Sequence, residues 1–126
     1  MMRLRTALAA TCLLTLSACG GSNSSPDAPS VTPAATITIT SSGVSPKSVT
    51  VPPGSQVQFV NNDRVSHQMS SDPHPEHTEC PEINAVGFLN PNQSRQTNNL
   101  NTVRRCGFHD HDNPGNTALQ GTIVIQ

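Results

Sequence analysis

The side chains best suited to chemistry crowd into the second half of this chain. All five histidines lie between residues 67 and 111. The densest run is Cys106-Gly107-Phe108-His109-Asp110-His111, with a thiol, two imidazoles and a carboxylate within six residues. Upstream, Asp72-Pro73-His74-Pro75-Glu76-His77-Thr78-Glu79-Cys80 adds two imidazoles, more carboxylates and a second cysteine, and His67 stands alone at the start of an alternating segment. Imidazole, thiolate and carboxylate are the ligands of transition metals. A thiolate with imidazoles selects copper, and an imidazole and carboxylate set accepts Cu(II) or zinc. In a strand, alternation puts His109 and His111 on one face, opposite Asp110. If the proline-stiffened loop reaches the same end of the fold, His74 and His77 join them, either as a second metal site or as part of the first. The bland alternative for His74 and His77 is a solvated acidic loop.

The elements that must position these residues are strands. Thr36-Ile37-Thr38-Ile39-Thr40 alternates with period two and is rich in β-branched residues. After a turn at Ser41-Ser42-Gly43, residues 44–51 read as one second strand. Pro52-Pro53-Gly54-Ser55 is a turn signal, and Gln56 to Asn61 alternates again, with Val57 and Phe59 on one face. His67 to Ser70 resumes the pattern, residues 71–87 read as loop, 93–100 is weakly strand-like, and 103–108 and 122–125 are strands. No helical period competes. Six to eight short strands with Gly and Pro turns make an all-β sandwich. With no Trp, no Tyr and three Phe, its core must rest on Val and Ile.

The front of the chain has a different character. Met1 to Arg5 is a basic n-region and Thr6 to Leu16 an apolar run too short for a stable membrane span. Leu16-Ser17-Ala18-Cys19 resembles the bacterial lipobox. The resemblance implies a signal peptide over 1–19, cleavage before Cys19 and a lipid on that cysteine. Gly20 after it implies the outer membrane, facing the periplasm. Residues 20–35 are small, polar and proline-rich and read as a disordered tether. One domain remains over 36–126. Seven basic against eight acidic residues leave a net charge of −1, which offers nucleic acid no electrostatic footprint.

The order of these features resembles the cupredoxins, the fold of plastocyanin, azurin and amicyanin. The matching pieces are Gly43-Val-Ser-Pro46-Lys-Ser-Val-Thr-Val51, Pro53-Gly54-Ser-Gln-Val-Gln-Phe59-Val-Asn61-Asn-Asp63, His67, Asn90-Pro-Asn-Gln-Ser94, the histidine-rich loop and Gly121-Thr-Ile-Val. The resemblance implies a Greek-key β-sandwich with copper at one end and His67 as its first ligand. Two registers then compete for the rest. In one, Cys106 is the thiolate and His109 the second imidazole, and Leu119 stands where a methionine would supply the axial ligand. In the other, Phe108-His109-Asp110 matches the aromatic strand, so Asp110 takes the cysteine slot and copper keeps only His67 with His109 or His111.

Cysteine arithmetic sharpens the contest. Cys12 leaves with the leader and Cys19 is lipidated, so Cys80 and Cys106 remain as an even pair in an oxidising compartment. A disulfide between them excludes Cys106 as a copper thiolate, and the reverse also holds.

Three functions follow. The first is an exported copper-binding cupredoxin-like lipoprotein in periplasmic electron transfer or copper handling, with a redox or copper-transfer protein as partner. The second is a non-blue His/carboxylate protein for copper or zinc buffering or delivery. The third is a metal-free, disulfide-stapled sandwich with a structural or interaction role. No enzyme is expected. About ninety residues cannot house a trinuclear copper centre, and no nucleophile and base stand together.

Overall fold

A computed structural model describes residues 31–126. The leader, Cys19 and most of the tether lie outside the described residues. Among the described residues nine strands form: β1 (Ala35–Thr40), β2 (Gly43–Ser45), β3 (Ser48–Val51), β4 (Val57–Asn61), β5 (His67–Ser71), β6 (Gly87–Leu89), β7 (Ser94–Gln96), β8 (Arg104–Asp110) and β9 (Gly121–Ile125). Short 3-10 turns occupy Pro81–Ala85 and Thr117–Leu119. One sheet runs β2-β1-β4-β7 and the other β3-β9-β8-β5-β6. The all-β Greek-key sandwich of the cupredoxin-like fold is therefore present.

The period-two segments bury the residues that alternation selects. Ile37 and Ile39 of β1, Val57 and Phe59 of β4, and Ile123 and Ile125 of β9 face the core. Parallel pairing of β1 with β4 sets Ile37 beside Phe59, and antiparallel pairing of β8 with β9 sets Cys106 beside Ile123. The Phe59 and Phe108 rings meet edge to face, their centroids 5.1 Å apart, and join the two sheets. Phe88, the third aromatic, is 46 % exposed on β6.

Two expectations about the strands need correction. Residues 44–51 do not form one strand. β2 pairs with β1 and β3 pairs with β9, so the chain changes sheets at Pro46-Lys47, where proline has no N–H to give either ladder. That split, together with β6, which starts at the last residue of the stretch read as loop, raises the count from six to eight strands to nine among the described residues. The tether also ends before Ala35: the Ala34 N–H donates to Gln56 O at 2.8 Å and Ala35 opens β1.

Cys80 and Cys106 are joined in a disulfide, both fully buried, 26 residues apart in sequence. On the chain-entropy account such a closure contributes about 3.5 kcal/mol. Its placement matters as much. The chain leaves β5 at Asp72, passes over the outward face of β8 and returns to the core at Cys80, Ile83 and Val86.

Candidate metal centre

β8 runs to Asp110 and its alternation divides the candidate ligands between two faces. Cys106, Phe108 and Asp110 point inward, and Gly107 and His109 point outward, with His111 next on that side. Pairing with β5 fixes the height of each: Met69 lies beside Asp110 and Ser70 beside His109, and the His111 N–H donates to Gln68 O at 2.7 Å.

The outward face carries four imidazoles. His74 and His77 on the excursion between β5 and Cys80 meet His109 and His111, and one nitrogen from each ring lies within 4.8 Å of the other three. The rings of His74 and His77 stand 4.9 to 5.5 Å from their partners, centroid to centroid. Two of the four, His109 and His77, are oriented from behind. His109 Nδ1 is 2.5 Å from Asp72 Oδ1, and a carboxylate only accepts, so Nδ1 donates and Nε2 is the nitrogen left for another partner. His109 is buried, and its Nε2 has no hydrogen-bond partner among the described residues. His77 Nδ1 donates to Ser71 O at 2.8 Å, which leaves its Nε2 as an acceptor 2.9 Å from His111 Nδ1.

The excursion is built to hold that pose. The Glu79 N–H donates to Asp72 O at 2.8 Å and closes the loop on itself, and the Gly107 N–H donates to Glu79 Oε2 at 2.7 Å. The Asp72 N–H donates to Gly107 O at 3.0 Å. Gly107 has no Cβ for a physical reason, since one there would overlap the Asp72 carboxyl that buttresses His109. His77 sits at φ 55°, a left-handed conformation uncommon outside glycine. Its N–H donates to Pro73 O at 2.7 Å and its carbonyl accepts from Asn84 Nδ2 at 2.9 Å, which fixes it there. His74 is exposed, and no hydrogen bond reaches its ring among the described residues. Desolvation within the cluster, then the proximity of His111, His109 and His77, hold its imidazole below the usual histidine range, with Glu76 working the other way.

The inward face is closed. His67 is buried, with Nδ1 2.9 Å from Asp110 Oδ2 and Nε2 3.2 Å from Asp63 Oδ2. Asp110 is fully buried and saturated: its oxygens also accept from the Gln68 N–H at 3.1 Å, the Asp112 N–H at 3.3 Å and Asn113 Nδ2 at 3.2 Å. Burial works to raise the Asp110 carboxyl, but the hydrogen bonds from His67, Gln68, Asn113 and Asp112 outweigh it and hold it below the usual carboxylate range. For Asp63, the Arg64 N–H holds the carboxyl low, and His67 adds to this. Asn61, buried at the end of β4, shapes the turn that brings Asp63 to His67 by donating to Val65 O and Leu89 O and accepting from the Asp63 N–H.

The candidate residues thus fall into two groups. His109, His111, His74 and His77 come together. His67 and Asp110 pair with each other on the opposite face of β8 and do not join the histidine cluster. Cys106 has no thiolate to offer, because its sulfur is bound to Cys80. Asp110, not Cys106, is the β8 residue beside His67. Cys19 lies outside the described residues. Of the residues that brace the cluster, Asp72 figures in the sequence only as one of the loop's carboxylates and Gly107 and Asn84 are given no role; an Asp before a Pro reads as a turn, and a glycine on the outward side of a strand is the one signal for close approach.

The residues fit a transition metal. Four imidazoles, two of them braced through Nδ1 and one of these with an orphaned buried Nε2, form a donor set that suits copper or zinc, with the outer hydrogen bonds that ligating histidines need.

No protein-family profile matches the chain, and no curated protein matches it. Solved structures do share its fold. They include a purple cupredoxin from Nitrosopumilus maritimus (18 % identity, 73 % of this chain and 99 % of that one, TM-score 0.57) and the oxidised plastocyanin of Dryopteris crassirhizoma (18 %, 72 % and 99 %, 0.56). Amicyanin from Paracoccus versutus is a third (16 %, 79 % and 86 %, 0.59), and a variant amicyanin in its Cu(I) form also shares the fold.

Proposed function

We propose that this protein, a domain of cupredoxin fold, binds one copper ion through His74, His77, His109 and His111 and serves copper handling in the bacterial cell envelope. The observation that carries the reading is the buried, unpartnered Nε2 of His109, aimed among three other imidazoles. An imidazole nitrogen without a partner in the interior costs free energy unless something accepts its lone pair, and a metal ion does. That the fold is shared with copper-loaded amicyanin supports copper as the ion. Bound copper would supply a centre that changes between two oxidation states. With no thiolate among its ligands the protein would lack the intense colour of a copper–cysteine bond.

A second reading is zinc buffering or delivery, favoured by the same thiolate-free imidazole set. Either way the role is binding rather than catalysis, with a redox or metal-transfer protein as partner. The lipobox-like segment supports a lipid on Cys19 and an outer-membrane anchorage facing the periplasm, with residues 36–126 as the working domain.

The test loads the full-length protein with Cu(II) and, separately, Zn(II), and measures stoichiometry, visible absorption, electron paramagnetic resonance and free thiol. One Cu(II) per chain with a weak visible band, nitrogen hyperfine structure and no titratable thiol is expected, and His77→Gln abolishes the signal. Stoichiometric zinc with no stable copper favours the second reading. If neither ion is retained, the protein is a metal-free stapled sandwich.

A further inference from the structure

The four imidazoles are not equivalent, and their differences suggest how the site is used. His109 is buried and tied to Asp72. His77 is half-buried, tied through Nδ1 to Ser71 O and fixed through its backbone to Pro73 and Asn84. His111 is half-buried, with its backbone bonded to Gln68 and its ring to His77. His74 alone is exposed, and nothing among the described residues hydrogen-bonds its ring. It touches the cluster only through ring contacts with His77, His109 and His111.

We infer that His74 is the exchangeable donor of this site: His77, His109 and His111 form a fixed three-imidazole floor, and His74 covers it and gives way to an incoming donor side chain of a partner protein. The inference rests on the metal-binding reading above. Its physical basis is the cost of moving each ring. Displacing His109 or His77 breaks a hydrogen bond to Asp72 or Ser71, and displacing His111 uncovers a half-buried ring, whereas rotating the exposed His74 into water breaks no hydrogen bond among the described residues. A floor of three donors with one replaceable cover suits metal hand-over: the partner's imidazole, thiolate or thioether enters where His74 leaves, so the ion always keeps three ligands.

The test compares the full-length protein with His74→Ala, His77→Gln and His111→Gln, loaded with Cu(II), by chelator competition at equilibrium, stopped-flow transfer to a chelator and electron paramagnetic resonance. The wild type should bind one Cu(II). His74→Ala should still bind one, with changed nitrogen hyperfine structure and faster release to the chelator than the wild type. His77→Gln and His111→Gln should lose stoichiometric binding. If His74→Ala loses binding as completely as these two, or leaves spectrum and release unchanged, His74 is not an exchangeable donor and the inference fails while copper binding stands. If the wild type itself binds no copper, the metal reading fails first and takes this inference with it. Circular dichroism on each variant separates lost ligands from lost fold.

Discussion

The two faces of β8 near its end carry similar side chains and put them to opposite uses. Inward, His67 has a carboxylate at each ring nitrogen, and Asp110 is saturated by four donors. Outward, each braced histidine uses one nitrogen for its orientation and presents the other to its neighbours, and His109 Nε2 has no hydrogen-bond partner among the described residues. The difference lies in the partners, acidic and complete on one side, basic and incomplete on the other. A histidine beside two carboxylates is a finished hydrogen-bond network. Four imidazoles that face one another are a network waiting for a cation. Burial does not distinguish them, since His67 and His109 are both buried.

The largest effect should come from the staple that serves both faces. Cys80 stands three residues after His77 and Cys106 three residues before His109, so one bridge ties the two halves of the outward cluster together. Replacing both cysteines with alanine should cost about 3.5 kcal/mol of unfolding free energy in urea titrations. It should also weaken metal binding, because the excursion loses its anchor to β8. A variant that loses stability yet binds metal with wild-type affinity would show that Asp72 and Glu79 suffice to hold the loop.

Next comes the inward face. Asp110→Ala leaves His67 without its closest carboxylate and Asn113 without its acceptor, in a fully buried position. Breaking such a pair from one side costs about 3 kcal/mol. The same group gives the protein an acid limit. Its folded carboxyl is held below the unfolded value, so its contribution is complete above the ordinary aspartate range near about 4 and drains away as pH falls towards the depressed folded value. Urea midpoints should therefore fall with pH in the wild type more steeply than in Asp110→Ala. Parallel pH profiles would mean that other carboxylates set the acid limit.

The sequence made parts of this comparison readable and hid others. Alternation located β1, β4, β8 and β9, since Ile37, Ile39, Phe59 and Ile123 sit at period two and each has one buried face. It also separated Asp110 from His109 and His111. Counting cysteines led to the bridge. What could not be read is which residues meet across loops. The strand break at Pro46 hides within an unbroken Val and Thr pattern, and β6 is three residues on an edge with no room for a period. The family resemblance draws His67 towards His109 and His111, although alternation on β8 already sets Asp110, and whatever pairs with it, on the other side. Asp72 carries no signal of its role, because its partner His109 is 37 residues away and the approach depends on the missing Cβ of Gly107.

A smaller effect should follow from loosening a brace. Asp72→Asn keeps the size of the side chain but replaces a charged acceptor with a neutral amide, so the tautomer of His109 is no longer enforced. Outer partners of this kind are worth about 10- to 100-fold in metal affinity, and the lower end applies to a carboxyl that is 45 % exposed. Chelator competition should show about a tenfold weaker site with unchanged stoichiometry. Gly107→Ala should act in the same direction by pushing Asp72 away from His109.

The smallest expected change in binding is the most decisive for the comparison. His67→Gln removes the imidazole that the resemblance to cupredoxins would make the first copper ligand, and leaves an amide able to donate to Asp110. If the outward cluster holds the metal, affinity, stoichiometry and the electron paramagnetic resonance spectrum of the Cu(II) protein should stay as in the wild type, because His67 touches none of the four clustered rings. Stability should fall modestly, by about 1 kcal/mol, for one weakened buried hydrogen bond. A His67→Gln protein that no longer binds copper would reverse the assignment of the two faces: the carboxylate-lined pair would hold the metal, and the four imidazoles would be only crowded neighbours.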